Sequence, residues 1–444
     1  LLALGIGLFF LQLYLDIARQ QSEVNNDLTR SDQSLYMDIA KQAYESRFQY
    51  TATRNRMPLY PWLQALFYSP EMDDEAFFEQ GKQFNVILSL ACLWVLGIVF
   101  FRKFSKIYAF YAMLVIAFLV FAIKAPFFQT EILFYTLFGF AFILSLDTLI
   151  SPKWYKSIGV GLLFALAHFS KASAMPGLFI FISSYGILLL LRLFNGKLEQ
   201  KWIIKTVCYA LAPLAVFMVL LFPYFQESKE KYGAYFYNIN TSFYMWYDSW
   251  DEARHATKLV EEQGGWANLP TEELPSLSKY LEGHSLHEIL RRFRDNIIEL
   301  HAYSCAAVNR NWSYVYGYCA QVGLGLLVFA LSLPMLLKGF QLQSSYKHWH
   351  IVWYVLLFFM LYVASLIWYT PIAKGPRTIL SLMIPLLWIT GFIIHSPQIQ
   401  SLQLILFQRP IRVIYIVYGM MIITVFFEIY QLATYRAVLL YGGK

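Results

Sequence analysis

The sequence predicts an all-α integral membrane protein of about eleven transmembrane helices, with two large external loops that carry juxtamembrane helices. Three observations predict it. Of the 444 residues, 58% are hydrophobic and 14% are charged, too apolar a balance for a soluble fold whose surface must carry charge. Apolar runs of about 17 to 25 residues, the length that crosses a bilayer, recur along the chain. Alternate connections between those runs are basic, the pattern that keeps Lys and Arg in the cytoplasm and so orients membrane helices.

The runs lie near 1–16, 84–101, 107–124, 131–150, 157–170, 176–194, 203–223, 316–337, 350–369, 378–395 and 411–433. The first, LLALGIGLFFLQLYL, reads as a spanning helix rather than a cleaved signal peptide, because no small-residue cleavage site follows it. The natural N-terminus is expected to precede it. Two of the runs are short, as tilted or broken helices are. The basic connections hold Arg102, Lys103 and Lys106, then Lys153 and Lys156, then Arg192, Lys197, Lys201 and Lys205, then Lys338 and Lys347, then Arg409 and Arg412. The remaining connections are then external, and they include the two longest, 17–83 and 224–315. These loops hold most of the acidic residues, so the polar mass lies on one side. With no internal repeat and no low-complexity linker, residues 1–444 read as a single polytopic domain. The absent repeat also weighs against an inverted-repeat transporter.

The net charge of +7 follows from the orienting loops and does not call for a nucleic-acid partner. Four cysteines make no disulfide framework, and only Cys305 and Cys319 are placed to pair on the outer side. The eight histidines show no metal-ligand spacing.

Chemistry concentrates in the external segments. In SDQSLYMDIAKQAYES at 31–46, Tyr36, Ile39, Ala40 and Tyr44 repeat at helical spacing, with Ser31 a candidate cap and Asp32 at the helix start. A carboxylate just after a spanning helix is placed to serve as a general base; it is equally the acid that a helix dipole favours. RNRMPLYPWLQALFY at 54–68 sets Arg54 and Arg56 before Pro58 and Pro61, a pinned loop suited to phosphate or to a lipid headgroup. Glu131 opens the apolar helix of KAPFFQTEILFY, at a position that is functional or simply interfacial. In ALAHFSKASAMPGLF, His168 and Lys171 interrupt an apolar stretch. Ser170 and Ser173 flank the Lys, and Pro176 and Gly177 follow, giving irregular backbone of the kind tolerated beside a cavity. Lys374 and Arg377 stand at a helix start in TPIAKGPRTILSLMIP, against the dipole, an arrangement that an anion repairs. Two further segments are ambiguous. SLHEILRRFRDNIIELHAY has a helical apolar repeat with basic residues between, fitting either the membrane surface or the cap of a cavity. The aromatic segment at 232–253, with Tyr244 and Trp246, fits a sugar or lipid platform or an interfacial belt.

Taken in order, these segments resemble the C-type (GT-C) superfamily of polyprenyl-phosphate-sugar-dependent membrane glycosyltransferases, the group containing protein O-mannosyltransferases and lipid A aminoarabinose transferases. The match is in layout: a first helix, an acid on a juxtamembrane helix (SDQSLYMDIA), a proline-rich segment (RNRMPLYPWL), an acid opening a later helix (TEILFY), a Ser-Lys pair (FSKAS) and a basic residue opening a late helix (GPRTILSLMIP). The chain departs from the group in having Arg-Met-Pro-Leu for Lys-Pro-Pro-Leu and Gln33 in place of a second acid after Asp32, which leaves branch and substrate open.

The resemblance implies inverting transfer of a sugar from a polyprenyl-phosphate donor to an acceptor hydroxyl on a protein, lipid or glycan. It makes Asp32 the base and gives the leaving phosphate to Lys171, Arg377, Lys374 and one of Arg54 or Arg56. Glu131 orients the acceptor or binds a divalent cation, the one cofactor left open. Tyr36, Tyr60, Tyr244 and Trp246 are platform candidates for acceptor or sugar. The setting implied is a plasma membrane, the inner membrane in a bacterium, with the site facing the periplasm or exterior. A transporter or flippase of lipid-linked sugars, or a non-catalytic assembly subunit of the same fold, is the alternative. Short cytoplasmic and long external loops suit a one-sided enzyme better.

Overall fold

The computed structural model describes residues 2–29, 32–49, 55–194, 196, 199–262, 264–266, 269–270, 272–305, 349–373, 379–406 and 409–434. Seven helices among them are long and apolar enough to cross a membrane, where the sequence led us to expect about eleven spans. The run near 316–337, together with Cys319, lies outside the described residues. Two other runs form helices too short to qualify: Trp154–Ser170, of 17 residues, and a 3-10 turn Ile379–Leu382 followed by Met383–Ile394, of 12. The run at 1–16 is the first part of α1 (Leu2–Val24).

After α1 come two juxtamembrane helices, α2 (Gln33–Glu45) and α3 (Leu59–Ala65). The long helix α4 (Asp74–Lys103) follows, with Asp73 accepting from the Ala76 N–H at its start and Arg102 and Lys103 in its last turn. Charges so placed complement the helix dipole. Helix α5 (Lys106–Lys124) contains a π-helical stretch, Val115–Phe121, a distortion that often lies near functional sites. Then follow α6 (Glu131–Ile150), α7 (Trp154–Ser170), α8 (Met175–Phe194) and α9 (Gln200–Tyr232). Helix α9 keeps its course through Pro213 and Pro223 and ends on Gly233, whose φ of +74° closes the helix in the left-handed region, where glycine is at ease. Three amphipathic helices, α10 (Trp250–Glu262), α11 (Leu277–Gly283) and α12 (Leu286–Cys305), lie in the second long loop. Helices α13 (Trp349–Tyr369), α14 (Met383–Ile394) and α15 (Val413–Thr434) complete the bundle. One antiparallel strand pair, Gln403–Leu406 with Arg409–Arg412, precedes α15.

The core sits around α5 and α6. In each, 72% of the apolar window is buried, against 17% in α13, which faces outward. Glycine sets the closest approach: a Cβ at Gly161 of α7 would stand 2.4 Å from the Pro213 carbonyl oxygen of α9. At one end of the bundle Ser105 caps α5, its hydroxyl accepting from the Tyr108 N–H, donates its own N–H to His395 (3.0 Å) and shares a hydroxyl contact with Tyr418 (3.1 Å). His350 meets the Leu149 carbonyl at the same end. Beside these contacts lie the basic connections around Arg102 to Lys106 and Lys153 to Lys156. The acidic helix starts and the juxtamembrane helices are at the other end.

Candidate functional site

The site is built on the first turns of α4. Lys82 is 1% exposed, and its ammonium donates to the carbonyls of Ser22 (3.1 Å) and Asn25 (2.9 Å) at the end of α1 while pairing with Glu79 at 2.6 Å. It thus takes up carbonyls that a helix C-terminus leaves without partners. One turn on, the Asn85 amide donates to the Phe127 and Gln129 carbonyls and to the Tyr60 hydroxyl. From the other side Asn25 donates to Pro126 O (2.8 Å) and exchanges hydrogen bonds with Gln33, whose Oε1 accepts from the Phe128 N–H (2.9 Å). The segment 126–129 is therefore held from both sides, and it delivers Thr130 and Glu131 to the start of α6.

Two acid and cation pairs result. Asp32 stands at the N-cap position of α2 but makes no capping hydrogen bond; its Oδ1 lies 2.5 Å from Arg56 Nη2. The guanidinium lies 5.7 Å from the centre of the Tyr36 ring. Glu131, 4% exposed, pairs with Lys171 at 3.7 Å. Lys171 occupies an extended break between α7 and the 3-10 turn Ala172–Ala174, and its Nζ lies 5.5 Å from the Phe134 ring centre. Thr130 Oγ1 donates to Ser170 O (3.2 Å), tying the two helix ends together.

Tyr60 joins the pairs. Its ring is fully buried, edge-on to Tyr36 at 5.5 Å. Burial pushes its phenol well above the usual tyrosine range against the hydrogen bonds from Gln64 and Asn85, and Tyr36 and Glu131 add to the rise. A second chain of contacts runs from the proline-rich segment to α7 and α9: Trp62 against Phe169, Phe169 against Tyr224, and the Tyr224 hydroxyl donating to Met57 Sδ.

The structure thus brings Asp32, Arg56, Glu131 and Lys171 to one end of the bundle on one hydrogen-bonded frame. Tyr36 and Tyr60 are buried beneath the pairs, packed rather than presenting a face. Tyr244 is buried in the core of the second loop, its hydroxyl accepting from Thr257 (2.9 Å), and Trp246 packs with Tyr280 and Trp368. His168 is buried edge-on to Phe217. Ser31, Arg54, Lys374 and Arg377 lie outside the described residues. Among the described residues no group of three or more His, Cys, Asp or Glu side chains gathers as a metal site. Sequence reasoning passed over Asn25, Lys82 and Asn85, and took Gln33 only as a departure from the pattern the chain resembles. The available signal was a Lys and an Asn entering the apolar run of a long helix, where polar groups are expensive and rarely idle.

Seven apolar spans with a polar, doubly paired end make this an integral membrane protein of helical type. No protein-family model matches the sequence, and no curated protein matches it. Among solved structures the chain is similar to the crystal structure of the Archaeoglobus fulgidus oligosaccharyltransferase tethered with an acceptor peptide containing the NVT sequon via a disulfide bond, at a TM-score of 0.47 and 14% identity. The alignment covers 96% of this chain and 55% of that one, so the chain spans about half the length of that protein.

Proposed function

We propose that the chain is an inverting glycosyltransferase that moves a sugar from a polyprenyl-phosphate donor to an acceptor hydroxyl at the external face of the membrane. The observation that carries this reading is the meeting of Asp32 with Arg56 and of Glu131 with Lys171 at one end of an apolar bundle, the end away from the basic connections. A donor of this class has an apolar tail that lipid and bundle accommodate, and a phosphate that needs fixed cations in a water-poor setting.

In the proposed reaction the acceptor oxygen attacks the anomeric carbon as the bond from that carbon to the phosphate oxygen breaks, inverting the centre. The acceptor proton passes to Asp32, the role of a positioned general base. Arg56 orients that carboxylate. Lys171 takes up the charge growing on the leaving phosphate, joined in this proposal by Arg54, Lys374 and Arg377. Glu131 holds Lys171 in place and orients the acceptor or a divalent cation.

The test is transfer in detergent from a panel of labelled polyprenyl-phosphate sugars. Asp32→Asn is expected to lower kcat by about 10² to 10⁴-fold, the usual worth of a general base. A variant as fast as the wild type removes Asp32 from the role. Movement of donor across a bilayer by wild-type protein that transfers none of the panel overturns the reaction itself.

A further inference from the structure

Helix α12 is amphipathic the wrong way round for a helix packed on a protein by its apolar side. The face it turns inward is polar: Arg292 is 8% and Asn296 5% exposed. The Arg292 guanidinium bonds Asp248 Oδ1 (2.6 Å), the Tyr280 hydroxyl (2.9 Å) and the carbonyls of Tyr247 (3.0 Å) and Trp368 (3.1 Å). It also lies over the Trp368 ring, 4.2 Å from its centre. The outward face carries Leu286 (71% exposed), Leu290 (59%) and Ile297 (49%), which fall within about 40° of one another on a helical wheel. Leu277 and Leu281 of α11 are exposed beside them. Arg294 and Arg291 follow on one flank of the apolar stripe, both exposed.

The position of α12 names the occupant of that stripe. The helix packs on the last turn of α13 through Phe293 and Arg292 at Trp368. Helix α13 is a spanning helix whose outward side shows Leu356, Met360, Leu361 and Val363, so the apolar face of α12 begins where that lipid-facing surface ends. A Trp at this level marks the boundary between hydrocarbon and headgroups. An apolar stripe flanked by arginines, lying there, is the arrangement of a helix held in the interface plane.

We propose that α12, with the end of α11, rests on the bilayer surface. Leu286, Leu290 and Ile297 enter the acyl boundary, Arg291 and Arg294 engage anionic headgroups, and the buried Arg292 cluster rigidly joins this interfacial helix to the end of α13. The second loop is thereby docked on lipid rather than standing free in water. This inference does not depend on the transfer reaction.

The experiment places a photoactivatable benzoyl-phenylalanine at Leu290 of the full chain in lipid nanodiscs of mixed phosphatidylglycerol and phosphatidylcholine, with adducts identified by mass spectrometry. Leu290 is exposed, so the substitution disturbs no internal packing. Lipid adducts are expected at Leu290 and at Met360, the positive control on α13, and none at Asp295, which lies beyond the arginines on the side of α12 away from the apolar stripe. Arg291→Gln and Arg294→Gln are each expected to weaken the preference for anionic over zwitterionic lipid roughly fivefold, the equivalent of about 1 kcal/mol per charge near an anionic surface. Adducts from Leu290 to this chain or to a second copy overturn the proposal. So does the absence of any Leu290 adduct from discs in which Met360 reacts.

Discussion

Lys82 shows how one buried charge frames the site. Its ammonium is withdrawn from water to bind the Ser22 and Asn25 carbonyls, and removing it leaves those acceptors unpaired in the interior. Lys82→Met is expected to lower stability by about 2 to 4 kcal/mol, one unpaired buried acceptor costing about 1 to 3, measured as thermal unfolding in detergent. Unchanged stability would mean that water reaches those carbonyls. Asp32 and Glu131 were legible in the sequence because each opens a helix next to an apolar run. Arg56 and Lys171 were legible as candidate phosphate ligands, but not as the partners of those acids, since each is distant in sequence from the acid it meets and pairing is a product of helix packing. Tyr60 shows the limit from another direction: an aromatic in a pinned loop reads as a platform, but its ring is enclosed by α2 and Phe128.

At the scale of elements, the approach of α7 and α9 is fixed by backbone rather than by side chains. A methyl at Gly161 would meet the Pro213 carbonyl oxygen at 2.4 Å and its Cα at 2.7 Å, atoms that cannot turn aside. Gly161→Ala is expected to destabilise by about 1 to 3 kcal/mol through overpacking. Gly186→Ala in α8 meets nothing within 4 Å and is expected to stabilise by about 0.5 to 1 kcal/mol through reduced backbone freedom. The pair of melting curves separates packing from propensity, and a Gly161→Ala protein as stable as wild type would show that the helices can slide apart. The apolar runs located the long helices well because a run of that length and composition has few other solutions in lipid. Breaks inside runs, such as the turn at Ile379–Leu382 before α14, depend on neighbours and were not readable from hydropathy.

At the scale of the whole molecule, the second loop is a folded unit pinned through Asp248. His284 contacts the Tyr280 carbonyl with Nδ1 (2.8 Å) and Asp248 with Nε2 (2.9 Å); only the imidazolium has a proton for each. Partial desolvation works against the charged form, but the Tyr280 and Asp248 hydrogen bonds and the Asp248 charge raise its pKa above the usual value. A raised folded-state pKa gives stability that is complete below the unfolded value of about 6.5 and is lost as pH rises through the folded value. Amide protection in α10 and α12, taken as exchange relative to the intrinsic rate at each pH, is therefore expected to fall as pH rises past the unfolded value of about 6.5. His284→Gln should abolish the difference; an unaltered pH dependence in that variant would assign the effect to another group.

The sequence by itself determined that this is a helical membrane protein, where most of its long helices lie, and that acids and cations gather in the segments between them. Those follow from local facts, since an apolar run must hydrogen-bond its own backbone in lipid and charges must leave it. Only the tertiary structure decided that Asp32 meets Arg56 and Glu131 meets Lys171. It alone revealed that Lys82 and Asn85 hold the frame beneath them, and that α12 turns its polar face inward. Each of these is a contact between residues far apart in the chain, set by how helices pack, and hydropathy carries no record of which helix becomes whose neighbour.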